Sequence, residues 1–123
     1  MTLPSRIGFG ISGPHGTPLV ARARTGDLIR QAYETGVRVF DTAPAYGAGE
    51  AERRLGESLK QLSRDEVFIS TKAGLFSHGI AARRRGFSPG EIEQSLRDGL
   101  ARLQVEGEDA LFIHGAGAEE LTP

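Results

Sequence analysis

The sequence predicts an α/β chain of parallel βα repeats, and three features carry that expectation. Four short apolar segments, Ile7–Ile11, Val37–Phe40, Val67–Thr71 and Ala110–Ile113, recur at intervals of about 30 to 40 residues, the length of a βα unit. Segments with apolar residues at helical spacing lie between them. Glycine and proline cluster at the joins, where the chain must turn. The resulting order, β-α-β-α-β-α-β, makes a parallel sheet with right-handed crossovers. A doubly wound sheet and half of a (βα)8 barrel both satisfy the pattern.

Each element has its own local reason. In Ile7–Ile11, Gly8 and Gly10 allow close backbone approach. Gly13-Pro14, Gly16 and Pro18 break the chain, so 12–25 reads as a long loop. Thr25 then reads as a helix N-cap with Asp27 in the first turn. Leu28, Ile29, Ala32 and Tyr33 share one face of that helix, and Gly36 suits the position just past its end. Val37–Phe40 is a strand that stops at Asp41, and Pro44, Gly47 and Gly49 make the following stretch a loop. Ala51, Leu55, Leu59 and Leu62 recur at helical spacing, with Glu52, Arg53, Arg54, Glu57 and Lys60 on the remaining surface. Val67–Thr71 is a strand ending at Lys72. The stretch 75–87, with its basic run Arg83-Arg84-Arg85, reads as a loop. Ser88-Pro89-Gly90-Glu91 is a helix start: N-cap serine, proline at the first position and a glutamate that closes a capping box. Ile92, Leu96, Leu100 and Leu103 continue one face of that helix, and Ala110–Ile113 is a strand ending at His114. Thr122-Pro123 resembles another helix start.

Composition narrows the class. The chain has 123 residues, about one small domain. A net charge of −1 gives no bulk electrostatic case for nucleic acid or an anionic membrane as partner. There is no cysteine, which removes disulfides and thiolate chemistry and fits a reducing compartment such as the cytoplasm. The start, MTLPSRIGFG, lacks the apolar core of a signal peptide. His15, His78 and His114 have no metal-ligand spacing. Gly47-Ala48-Gly49-Glu50-Ala51-Glu52 begins like a dinucleotide fingerprint, but Glu52 stands where the third glycine belongs and would repel a phosphate. The arginine run could hold a phosphate or nucleic acid, although without interleaved aromatics it reads as a solvated loop. His78, in the same loop, could touch a substrate.

The chemistry lies in a coincidence of position. Successive strands end in Asp41, Lys72 and His114, and Tyr46 follows Asp41 in its loop. In a parallel sheet all carboxyl ends lie on one rim, so these side chains should converge. Each alone is weak evidence: a strand-end aspartate is as often a loop cap as a functional group, and a lone lysine or histidine is more often a salt-bridging or hydrogen-bonded structural residue. Together they suit acid catalysis. A free tyrosine titrates near pH ~10, and a lysine ammonium within about 4–6 Å favours its phenolate. An aspartate fixes the lysine, and a histidine can orient a carbonyl oxygen against the phenol. Protonating a carbonyl oxygen while a hydride arrives at its carbon needs a donor that no side chain supplies, which implies a nicotinamide cofactor.

These residues sit in stretches with a familiar pattern. FDTAPAYGAGEAERRLGESL, DEVFISTKAG and the histidine of LFIHG closely resemble the aldo-keto reductases, and the resemblance runs from RIGFG to EELTP. It implies a (βα)8 barrel, of which this chain would be the first half, and NADP(H)-dependent reduction of aldehydes and ketones. It implies Tyr46 as general acid, Lys72 and Asp41 as the pair that tunes it, His114 as the residue that orients substrate, and Asp41 close to the nicotinamide ribose. Gly10 and Ile11 fall where the family's first loop contacts the nicotinamide end. A whole barrel takes about 250 residues, and nothing here matches the family's nicotinamide-stacking aromatic or adenosine-phosphate loop. The chain is therefore expected to be a fragment, a half-barrel that pairs with a copy of itself, or a non-catalytic relative used for binding or regulation. The helix start at Thr122-Pro123 favours the fragment, and open sheet edges predict self-association or union with the missing half.

Overall fold

A computed structural model describes residues 2–78 and 82–121, and for His78 and Ala82 the backbone alone. The helix start expected at Thr122-Pro123 lies outside the described residues, as does the His78 side chain. The main sheet contains β1 (Gly8–Gly10), β2 (Val39–Asp41), β3 (Phe68–Ala73) and β6 (Ala110–Ile113). It runs in the order β1-β2-β3-β6 with every pairing parallel. Helices α1 (Arg22–Glu34), α2 (Glu50–Leu59) and α3 (Pro89–Leu103) make the crossovers. A separate antiparallel hairpin, β4 (Leu75–His78) with β5 (Ala82–Arg85), follows β3.

Register decides which side chains face the helices. Phe9, Phe40 and Ile69 are aligned across β1, β2 and β3, and Phe40 and Ile69 are fully buried. They pack with Ile29 of α1, Leu55 of α2 and Leu103 at the end of α3. Because successive strand residues alternate between faces, the neighbouring row Gly10, Asp41 and Ser70 points the other way, as does Lys72, aligned with Phe112. The helices pack side by side, α1 on α2 and α2 on α3, over a single core. This is the wall of a barrel, and the doubly wound alternative is set aside.

Several boundaries differ from the sequence expectation, each for a tertiary reason. Helix α1 starts at Arg22, so Thr25 is an interior residue and not the cap. Its side chain is fully buried, and its hydroxyl oxygen accepts a hydrogen bond from Arg54 at 3.1 Å. Val37 is drawn into the helix exit, its amide donating to Ala32 O at 3.0 Å, so β2 begins at Val39. Strand β3 runs on to Ala73 because β6 pairs with it that far, which places Lys72 within the strand. The stretch 75–87, expected as a loop, contains the β4–β5 hairpin. There Arg84 lies 4.4 Å over the Phe76 ring, and these cross-strand partners were not visible to a local reading. The capping box of α3 is present, with Ser88 accepting from the Glu91 amide and Glu91 accepting from the Ser88 amide. Gly36 (φ +98) closes α1 in the left-handed region, as expected.

Among the described residues, β1 and β6 have unpaired outer edges. Ile7, Phe112 and Ile113, at or beside those edges, are 71%, 54% and 39% exposed. No described helix is long and apolar enough to cross a membrane.

Candidate active site

The site is built from the carboxyl ends of β2, β3 and β6. Asp41 closes β2 and Lys72 stands one residue before the end of β3. Lys72 Nζ donates to Asp41 Oδ2 at 2.7 Å and to the carbonyl of Thr42 at 2.8 Å. The other carboxylate oxygen, Oδ1, accepts from Ser70 Oγ at 2.7 Å. The pair is half-sheltered, with 16% of the Lys72 side chain and 39% of the Asp41 side chain exposed, so it is held in place yet open to a ligand. An ammonium has three donors, and the described residues engage two of them.

Tyr46 is brought to this pair by its loop. The Tyr46 amide donates to Ala43 O and the Gly49 amide to Pro44 O, which coils 43–49 tightly. Gly47 has φ +65, and a side chain there would sit 1.9 Å from the carbonyl oxygen of Gly16. Gly16 is equally tight, with space for its missing Cβ only 2.7 Å from the Tyr46 carbonyl. Two bare backbones therefore cross, and the first loop buttresses the tyrosine. Lys72 Nζ lies 5.2 Å from the centroid of the Tyr46 ring. His114 follows β6, its amide bonded to Ala73 O at 2.8 Å, and its ring stands edge-on to Tyr46 with centroids 6.0 Å apart. Asp41, Tyr46, Lys72 and His114 thus share one rim.

Electrostatics at His114 follow from this packing. Burial lowers its pKa below the usual imidazole value, the nearby Lys72 and Arg83 charges push the same way, and Asp41 opposes them. The net effect favours the neutral ring. Its Nδ1 is buried with no hydrogen-bond partner among the described residues.

Gly10 and Ile11 are placed differently from each other. A side chain at Gly10 would meet nothing within 4 Å, so the rim is open there. Ile11 is fully buried in the core. Its amide donates to Asp41 O at 2.8 Å and its carbonyl accepts from Thr42 Oγ1 at 3.1 Å. It braces Asp41 from below, and its side chain cannot reach a ligand.

Three supporting residues went unnoticed in the sequence. Ser70 lies two residues before Lys72, on the same strand face, and that spacing was a usable signal. Arg54 and Glu52 lie off the apolar stripe that the sequence predicts for α2, yet they are 7% and 0% exposed. Arg54 donates to Val20 O, Thr17 O and Glu50, tying the first loop to α2. Glu52 accepts from Arg102 of α3 at 2.5 Å and from Thr71 of β3 at 2.7 Å. Apart from Glu50, four residues before Arg54, their partners are remote in sequence, so no local signal marks their burial.

The family model described as "Aldo/keto reductase family" matches residues 6–119. The chain is 35% identical over 113 residues to "Probable aldo-keto reductase 1" of Glycine max, an alignment covering 89% of this chain and 32% of that protein. An aldo-keto reductase of Bacillus halodurans, solved in its holo form, superposes with a TM-score of 0.81 at 27% identity over 94% of this chain and 37% of that one. An aldo-keto reductase of Klebsiella pneumoniae in complex with NADPH superposes with a TM-score of 0.71 at 25% identity, over 89% of this chain and 35% of the other. The chain thus spans about a third of the length of the curated relatives it matches, and its sheet and helices correspond to part of a barrel.

Proposed function

The chain belongs to the aldo/keto reductase family, and from that membership we propose NADP(H)-dependent reduction of an aldehyde or ketone to an alcohol, with Tyr46 as general acid. The observation that carries this reading is the placement of one phenol between two groups suited to it. Lys72 Nζ, fixed by Asp41 at 2.7 Å, lies 5.2 Å from the Tyr46 ring centroid, and the His114 ring stands 6.0 Å away.

Each residue has a distinct task. Tyr46 gives its proton to the carbonyl oxygen as negative charge develops there. Lys72 stabilises the charge left on the phenol oxygen, and Asp41 keeps the ammonium aimed. His114 orients the carbonyl oxygen toward Tyr46. The residues present fit a flat cofactor ring at this rim, where the surface at Gly10 is open. Gly10, Asp41 and the backbone of Ile11 would lie at the nicotinamide end. Bound NADPH supplies the hydride. The remainder of the cofactor site would come from the rest of the barrel, so residues 1–123 are the N-terminal half-barrel portion of a cytoplasmic enzyme. A second reading, a non-catalytic binding module with the same fold, draws on the short span relative to the family, about a third of the curated relatives.

The two separate cleanly in the full protein. NADPH binding is followed by fluorescence and turnover by NADPH oxidation with a panel of aldehydes. Tyr46→Phe is expected to lower kcat by about 100- to 10,000-fold, the usual worth of a general acid, while leaving NADPH affinity unchanged. Unchanged turnover in that variant, or no NADPH binding by the wild type, excludes the enzyme.

A further inference from the structure

The arginine run separates into three different side chains. Arg84 donates to Glu91 at 2.5 Å and lies over Phe76. Arg85 pairs with Glu120 at 2.6 Å and also donates to the carbonyl of Gly115. Arg83, exposed and first in the run, meets no carboxylate among the described residues. The pleat of β5 turns Arg84 to the opposite side of the hairpin from Arg83. Arg83 instead lines a cavity of about 240 Å³ whose wall includes Tyr46, Gly16, Thr17 and Ala48. It is the one charged group among the described lining residues. Its charge is also felt by His114 across the rim.

We propose that Arg83 makes this site selective for carbonyl substrates that carry an anionic group, a carboxylate or a phosphate, received by the guanidinium while the carbonyl lies at Tyr46. This rests on the reductase reading of Tyr46. The physical case is one of unmet demand. A planar guanidinium presents paired donors that match a carboxylate or phosphate, and its neighbours in the run have already found such partners within the chain. With no acid on the cavity wall among the described residues, an incoming anion meets no opposing charge. Placing this residue on a hairpin above the rim, apart from the strands that carry the chemistry, lets specificity vary without disturbing the tetrad.

The test uses the full protein with two matched pairs, succinic semialdehyde against butanal and glyceraldehyde 3-phosphate against glyceraldehyde. The wild type is expected to favour the anionic member of at least one pair, and the favoured pair distinguishes carboxylate from phosphate. Arg83→Gln should remove that preference, lowering kcat/KM for the anionic aldehyde by about 10- to 100-fold, the worth of a charge-assisted hydrogen bond, with the neutral aldehyde nearly unaffected. Arg83→Lys, which keeps the charge but not the fork, should restore part of it. An equal loss on both members, no preference in the wild type, or an effect confined to the KM for NADPH overturns the proposal. Calorimetric titration with succinate and with phosphate covers the case of no turnover. Binding lost in Arg83→Gln would then uphold the anion site while the reductase reading fails, and binding unchanged in the variant would overturn the anion site as well.

Discussion

Lys72 is pulled in two directions by bonds to different parts of β2 and its exit, the Asp41 carboxylate and the Thr42 carbonyl. A long flexible side chain is thereby given one position, and the cost of ordering it is met before any ligand arrives. Ser70 completes the arrangement by occupying the second carboxylate oxygen, which fixes the carboxylate plane. His114 is the titrating member whose surroundings most clearly affect stability. Its folded pKa is depressed by burial and by Lys72 and Arg83. Below about pH 6.5, the ordinary imidazole value, the unfolded chain takes up a proton that the folded chain refuses. Stability from this residue is therefore complete above that pH and is lost as pH falls toward the depressed folded value. His15 acts in the same direction, its pKa lowered by burial and by Arg54. The guanidinium of Arg54 can only donate, so the Thr25 oxygen accepts from it and the Thr25 hydroxyl proton is free for His15 Nδ1, 3.0 Å away. The expected outcome is a Tm that falls between pH 7 and 5, with a shallower fall in His114→Gln. Equal slopes in wild type and variant, measured by calorimetry, would remove His114 from this account.

At the scale of elements, one buried carboxylate joins α2, α3 and β3. Glu52 has no exposure and receives Arg102 and the Thr71 hydroxyl. The helix that begins just after the Tyr46 loop and the strand that carries Lys72 are therefore locked to each other, with α3 as the clamp. Gly49, at the N-cap of α2, leaves room for the same arginine: a Cβ there would lie 2.4 Å from Arg102 Cδ. Removing one partner of a buried pair strands the other. Arg102→Met is expected to cost about 3–5 kcal/mol. Glu52→Met in the same chain should recover a large part, because both charges are then gone. Urea denaturation of the two single variants and the double variant checks this, and additive losses would mean the pair is not coupled.

Over the whole molecule, the parallel sheet ends in two open edges with Ile7, Phe112 and Ile113 exposed beside them. Unpaired strand edges beside apolar side chains favour further pairing. Residues 1–123 alone are expected to elute well above their 13.2 kDa mass in size-exclusion chromatography, and to join the rest of the barrel when the two are expressed together. A compact monomer with a cooperative transition would refute this. The repeat of apolar segments, the helix start at Ser88 and the exit at Gly36 could be read from the chain because each depends on neighbours a few residues away, and the rim of Asp41, Lys72 and His114 could be read because each ends or follows a parallel strand. Strand period alone carries the last of these: a residue at the carboxyl end of a parallel strand reaches the same rim wherever its strand lies. Other features were settled only by packing. Thr25 is an interior helix residue, its amide bonded to Ala21 O and its hydroxyl oxygen accepting from Arg54. The 75–87 stretch became a hairpin because its two arms found each other. Glu52 and Arg54, charged residues on a helix, were buried because Arg102, Thr71 and the first loop offered partners from up to 50 residues away. Arg83 was separated from its two neighbours in the same way, by which carboxylates the fold brought within reach. Local chemistry determines which element forms; which polar groups find a partner, and which remain for a ligand, depends on contacts that exist only once the chain has closed on itself.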